Sequence, residues 1–111
     1  MRKGAPQTAR APSERMSLIE VVQSKRTEIE RLAAKHGAGN IRVFGSVLHG
    51  QETSTSDIDF LIDVVGKTSA WFPSGLALDL QDLLGRSVDI VTERSLHPVL
   101  RERVLREARP L

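Results

Sequence analysis

Residues 41–65, IRVFGSVLHGQETSTSDIDFLIDVV, hold two β-prone runs on either side of a polar loop. The second run, Asp57 to Val65, alternates. Ile58, Phe60, Ile62 and Val64 point to one face; Asp57, Asp59, Leu61 and Asp63 point to the other. Such a strand seals a core on one side and leaves carboxylates on the opposite side. The first run, Ile41-Arg42-Val43-Phe44, is bounded by Gly39-Asn40 and Gly45 and predicts a second strand. Residues 46–56 between them are small and polar, which predicts a turn with little helix.

Helices are signalled on both sides of this pair. Ser17-Leu18-Ile19-Glu20 fits the capping box, in which a Ser and a Glu satisfy free N–H groups at a helix start. Ile19, Val22, Ile29, Leu32 and Ala33 then share a helical stripe, and His36-Gly37 ends it. This pattern predicts one helix from Ser17 onward. Residues 66–75 form a loop with Trp71-Phe72, an aromatic pair that could dock a partner or fold back onto the core. Leu76 to Leu84 has helical spacing and Gly85 stops it; Ser87 to Thr92 reads as a third strand. Pro98 to Glu107 is a last helix, with Pro98 near its first position. The short link between the first two strands permits an antiparallel pair, and the helix before the third permits a crossover. The expected fold is α/β, a small mixed sheet packed against helices.

The chain has 111 residues, one domain's worth. Residues 1–16 are expected to be a flexible basic extension and residues 17–111 the folded domain. There is no cysteine, which excludes a disulfide scaffold, a thiol nucleophile and a cysteine-based zinc site. No run approaches the ~18 apolar residues of a membrane span, and residues 1–15 lack the apolar core of a signal peptide. A cytoplasmic protein is expected. Residues 1–15 carry four basic groups and one acidic, residues 16–92 seven and ten, and residues 93–111 five and three. The positive charge therefore sits at the ends and the middle is acidic, so direct binding of nucleic acid is not expected.

The chemistry concentrates in Gly45-Ser46, Asp57-Ile58-Asp59 and Asp89. Carboxylates at i and i+2 of a strand lie on one face about 7 Å apart and repel unless a cation stands between them. Oxygen-only ligands suit Mg²⁺ or Mn²⁺. Two exposed aspartates guarding an edge strand would look the same in sequence. Gly45-Ser46 ends a strand and opens a turn, where backbone N–H groups can approach a phosphate, though Gly-Ser is also a common turn. Asp89 interrupts the apolar run of Ser87-Val88-Asp89-Ile90-Val91, so a shared metal site or an edge position must account for it. His36 and His97 read as helix-end residues.

Taken together, Val43-Phe44-Gly45-Ser46, ten residues, then Asp57-x-Asp59 with Ser56 before it, resemble the signature of the DNA polymerase β-like nucleotidyltransferases. Within that superfamily the chain is similar to the minimal nucleotidyltransferases (MNT), single small domains. Leu83 to Thr92 and Leu100 to Ala108 are similar to their last third, so the likeness spans about residues 17–111. The resemblance implies that Asp57, Asp59 and Asp89 hold Mg²⁺, or Mn²⁺, and that Asp89 helps deprotonate the acceptor. It implies that Gly45, Ser46 and Ser56 serve nucleotide binding, with the β- and γ-phosphates at Gly45-Ser46. The implied reaction moves AMP from ATP to a hydroxyl. The implied partner is a HEPN-domain toxin whose tyrosine receives the AMP, so that the chain acts as an antitoxin. Two alternatives stay open: an antibiotic-type enzyme acting on a small molecule, and a catalytically weak antitoxin that works by binding alone. Many relatives carry Arg or Lys near the place where this chain has His49.

Overall fold

The computed structural model describes residues 16–111, and the expectation for the basic extension falls mostly on residues 1–15, outside that range. The elements are α1 (Leu18–Ser24), α2 (Arg26–Lys35), β1 (Ala38–Phe44), β2 (Ile58–Val64), α3 (Ser74–Leu84), β3 (Val88–Val91), α4 (Pro98–Glu107) and β4 (Arg109–Pro110). The sheet order is β3-β2-β1-β4. β1 is antiparallel to β2 and to β4, while β2 and β3 run parallel across the α3 crossover. The mixed sheet is the one the pattern predicts.

Side-chain alternation on β2 divides the molecule. Ile58, Phe60 and Ile62 are buried and join Val22, Ile29 and Ala33 of α1 and α2, Leu76 and Leu80 of α3, and Ile90 of β3 in one core. Helices α1 to α3 thus supply the apolar residues that cover one sheet face. The other face of β2 carries Asp59, Leu61 and Asp63. Leu61 is fully buried, while Val64 is 53% exposed and does not join the core as its place in the alternation predicts.

Three further sequence expectations need correction. The first helix is broken at Lys25, whose φ of −106° and ψ of 19° leave the helical region. The Ser24 hydroxyl donates to the Val21 carbonyl at 2.6 Å, and Lys25 N–H reaches back only three residues, to Val22. Such back-bonding by serine bends helices. β1 begins at Ala38 rather than Ile41. Gly39-Asn40, which look like a turn, form an irregularity inside the strand with Asn40 at φ 48°, a conformation asparagine tolerates. β4 has no counterpart in the sequence reading, since two residues carry no periodicity. Residues 46–50 are turns, as their small and polar side chains predict.

The capping box is present in full: Glu20 N–H donates to Ser17 Oγ, and Ser17 N–H to Glu20 Oε1 at 2.9 Å. Gly85 ends α3 at φ 69° and Pro98 opens α4. Both expected helix-end histidines hold structural posts. His36 is buried, bonded through Nε2 to Asp79 Oδ2 at 2.7 Å and through Nδ1 to Ser69 Oγ at 2.6 Å. His97 caps α4, its Nδ1 accepting from Val99 N–H at 3.2 Å. The aromatic pair splits: Phe72 packs against the core and Trp71 is 79% exposed.

Candidate active site

β2 delivers the carboxylates. Asp57 stands one residue before the strand and Asp59 is its second residue. Register places Asp59 directly beside Asp89 of β3 and opposite Phe44 of β1. The chain leaves Phe44 through Gly45 at φ 82°, a left-handed conformation that favours glycine. A Cβ at Gly45 would overlap Asp59 Oδ2, so the glycine both turns the chain and makes room for the carboxylate. Val47 is buried in the core and anchors the turn. Ser46 shapes it, its carbonyl accepting from His49 N–H at 3.2 Å and Gln51 N–H at 2.9 Å. The strands thereby gather Gly45, Asp59 and Asp89 at one corner of the sheet.

The corner carries surplus negative charge. Partial burial, then the charges of Asp89 and Asp57, push the Asp59 carboxyl up to about 6. Asp89 is exposed on the edge strand, so hydration alone can keep it there. Hydration does not explain why a third carboxylate, half-buried Asp59, is packed between Asp89 and the Gly45 turn. This arrangement costs stability when Asp59 ionises. Because the folded state holds that proton more tightly than the unfolded chain, stability without divalent cations should fall as pH rises from about 4 to about 6, then level off. Thermal melts in a chelating buffer check this; a melting temperature that rises through that window would contradict it.

The remaining predicted residues take other places. Ser56 Oγ accepts from Thr53 N–H at 2.9 Å and so holds its own loop together. Asp63 is engaged by Asn40 Nδ2 at 2.8 Å and an Arg42 guanidinium nitrogen at 2.7 Å, well along the strand from Asp59. His49 Nε2 lies 3.5 Å from Glu107 Oε1. Glu107 is held below its ordinary carboxylate range by Arg103 first and His49 second. Sequence reasoning missed Glu107 and also Arg86, whose guanidinium donates to the Thr53 and Ser56 carbonyls. A cavity of about 700 Å³ opens at the other end of β2 and β3, lined by Asp63, Val64, Val65, Glu93 and Arg94 among others. It is apart from the carboxylate corner.

The nucleotidyltransferase domain matches residues 25–111. The chain belongs to that family. A solved structure provisionally described as a minimal nucleotidyltransferase is 46% identical and covers 86% of this chain and 97% of its own, with a TM-score of 0.73. Protein adenylyltransferase MntA of Thermococcus cleftensis is 34% identical, over 83% of this chain and 94% of the relative. A crystal structure of a toxin-antitoxin with AMP-PNP is 26% identical, covering 77% of this chain and 70% of that one, with a TM-score of 0.63.

Nucleotidyltransferase chemistry raises the question of a metal. No group of three or more His, Asp or Glu side chains is arranged to hold a metal ion among the described residues. A hard divalent cation needs only one or two carboxylates when water and substrate phosphates complete its shell, and Asp59 and Asp89, paired in register, offer two, with Asp57 close enough to act on Asp59. The donors at the corner are oxygens only, and the charge that raises Asp59 is the kind a divalent cation offsets. The oxygen donors of the corner fit a hard divalent cation.

Proposed function

We propose that this nucleotidyltransferase domain transfers AMP from ATP to a hydroxyl of a partner protein, a tyrosine of a HEPN-domain toxin, and so acts as its antitoxin in the cytoplasm. One observation carries the reading: the Gly45-Ser46 turn is packed against Asp59, with Asp89 on the adjacent strand. A turn for phosphates and a carboxylate group for a cation are thereby side by side, as a nucleoside triphosphate requires. The likeness to a protein adenylyltransferase and to a toxin-antitoxin structure bearing an ATP analogue supports a protein acceptor.

In this reading, Gly45 and Ser46 receive the β- and γ-phosphates through N–H groups and the Ser46 hydroxyl. Asp57, Asp59 and Asp89 are the residues that would hold Mg²⁺, which supplies charge neutralisation on the attacking and leaving oxygens. The acceptor oxygen attacks the α-phosphorus and forms a new P–O bond. The bond from the α-phosphorus to its bridging oxygen breaks, pyrophosphate leaves, and Asp89 takes the hydroxyl proton. Ser56 joins Gly45 and Ser46 in nucleotide binding, on a loop closed by the Thr53 N–H bond to its Oγ. Residues 1–16 are an extension outside this machinery.

ATP labelled on the α-phosphate, and separately on the γ-phosphate, tests the reaction class. With Mg²⁺ and the protein encoded beside this chain, the α-label should move to that protein and the γ-label should leave as pyrophosphate. Transfer of the γ-label would make the enzyme a kinase. Transfer of the α-label only to an added aminoglycoside would make it a small-molecule enzyme.

A further inference from the structure

We propose that Arg86 is a positioning residue for the carboxylate corner, holding Asp57 in place by clamping the chain on its N-terminal side. The inference rests on the metal reading of that corner. One Arg86 guanidinium nitrogen donates to the Thr53 carbonyl at 2.7 Å and to the Ser56 carbonyl at 3.0 Å. Inside that segment, Thr53 N–H donates to Ser56 Oγ, closing a small turn. On the C-terminal side of Asp57, Ile58 N–H donates to the Ser87 carbonyl at 2.9 Å. Both neighbours of Asp57 are therefore tied to residues 86 and 87, which lead directly into Asp89.

This geometry has an electrostatic purpose. Asp57, Asp59 and Asp89 are like charges at one corner of the sheet, so repulsion alone would drive Asp57 away. Asp57 is exposed and precedes the ladder, so its own packing does not hold it. The Arg86 fork supplies the restraint. It reaches the loop because Gly85, at φ 69°, ends α3 just before it. Two carbonyls bound by one planar group make a stiffer brace than a single flexible ammonium would. With the brace removed, Asp57 must be ordered each time a cation binds, and that ordering weakens affinity.

The test uses the full chain and Mn²⁺ as probe, followed by electron paramagnetic resonance in the presence of ATP. Arg86→Ala should raise the Mn²⁺ concentration at half-saturation about tenfold, the scale typical of residues that orient metal ligands. Its melting temperature should stay within about 3 °C of wild type, a shift small for a domain of this size. Arg86→Lys should recover part of the affinity, and added guanidinium ion should recover part of it in the Ala variant. Amide exchange should quicken at Asp57 and Ile58 but not in β1. Unchanged Mn²⁺ affinity in Arg86→Ala would overturn the proposal. So would a loss that parallels a large fall in melting temperature and resists both Lys and guanidinium. A wild-type chain that binds no Mn²⁺ overturns it along with the metal reading. Mn²⁺ binding that responds to Arg86 while no AMP moves to any protein overturns the proposed function alone.

Discussion

Asp59→Asn is expected to lower AMP transfer about 10³-fold while making the cation-free protein more stable at pH values well above 6. The two effects have one cause. Burial first, then the charges of Asp89 and Asp57, hold the Asp59 carboxyl at about 6. Above that pH the folded chain carries a charge that burial and its neighbours oppose. Asparagine keeps the shape and removes the charge, so the opposition disappears. The same charge is what a cation on a triphosphate needs. Losing a few kcal/mol of transition-state charge stabilisation corresponds to about 10³-fold, at 1.36 kcal/mol per decade. Initial rates with labelled ATP and melts in chelator measure the two sides. A variant that is both inactive and less stable at that pH would show Asp59 to be a structural residue.

Gly45→Ala is the second large effect, expected to reduce transfer at least about 10²-fold and to lower stability. Gly45 has φ 82°, and a left-handed conformation costs a residue with a Cβ about 1–2 kcal/mol. The new methyl would also overlap Asp59 Oδ2, so the carboxylate or the turn must shift. A displacement of about 1 Å in a reacting constellation can cost about 10² in rate. Gly50→Ala is the control. Gly50 also has positive φ, at 68°, but nothing lies within 4 Å of an added Cβ there. It should share the backbone cost and keep most of the activity. Equal losses in both variants would mean that strain in the turn, and not crowding of Asp59, limits the reaction.

These expectations concern residues already visible in sequence, and the reason is local. Alternation over Asp57 to Val65 sets which side chains share a face, and one cross-strand register then brings Asp89 beside Asp59. Ser17, Gly85 and Pro98 act on their own helix ends, so their spacing alone reveals them. What escaped is what depends on contacts far apart in the chain. The Arg86 clamp spans 30 and 33 residues, and the His49–Glu107 contact spans 58. β4 exists because Arg109 and Pro110 find β1, not because two residues prefer a strand. The break at Lys25 turns on a single serine hydroxyl, invisible to a pattern that counts apolar residues. The bond that Ser56 Oγ accepts from Thr53 N–H is local, yet the sequence pattern did not reveal it.

The most direct measurement is tandem mass spectrometry of the proposed HEPN-domain toxin partner after incubation with this chain, ATP and Mg²⁺. Wild type should leave AMP on a toxin tyrosine and silence the toxin, while Asp59→Asn should leave the tyrosine bare and the toxin active. A toxin silenced equally by both proteins, with no AMP on any residue, would contradict adenylylation and leave an antitoxin that acts by binding alone.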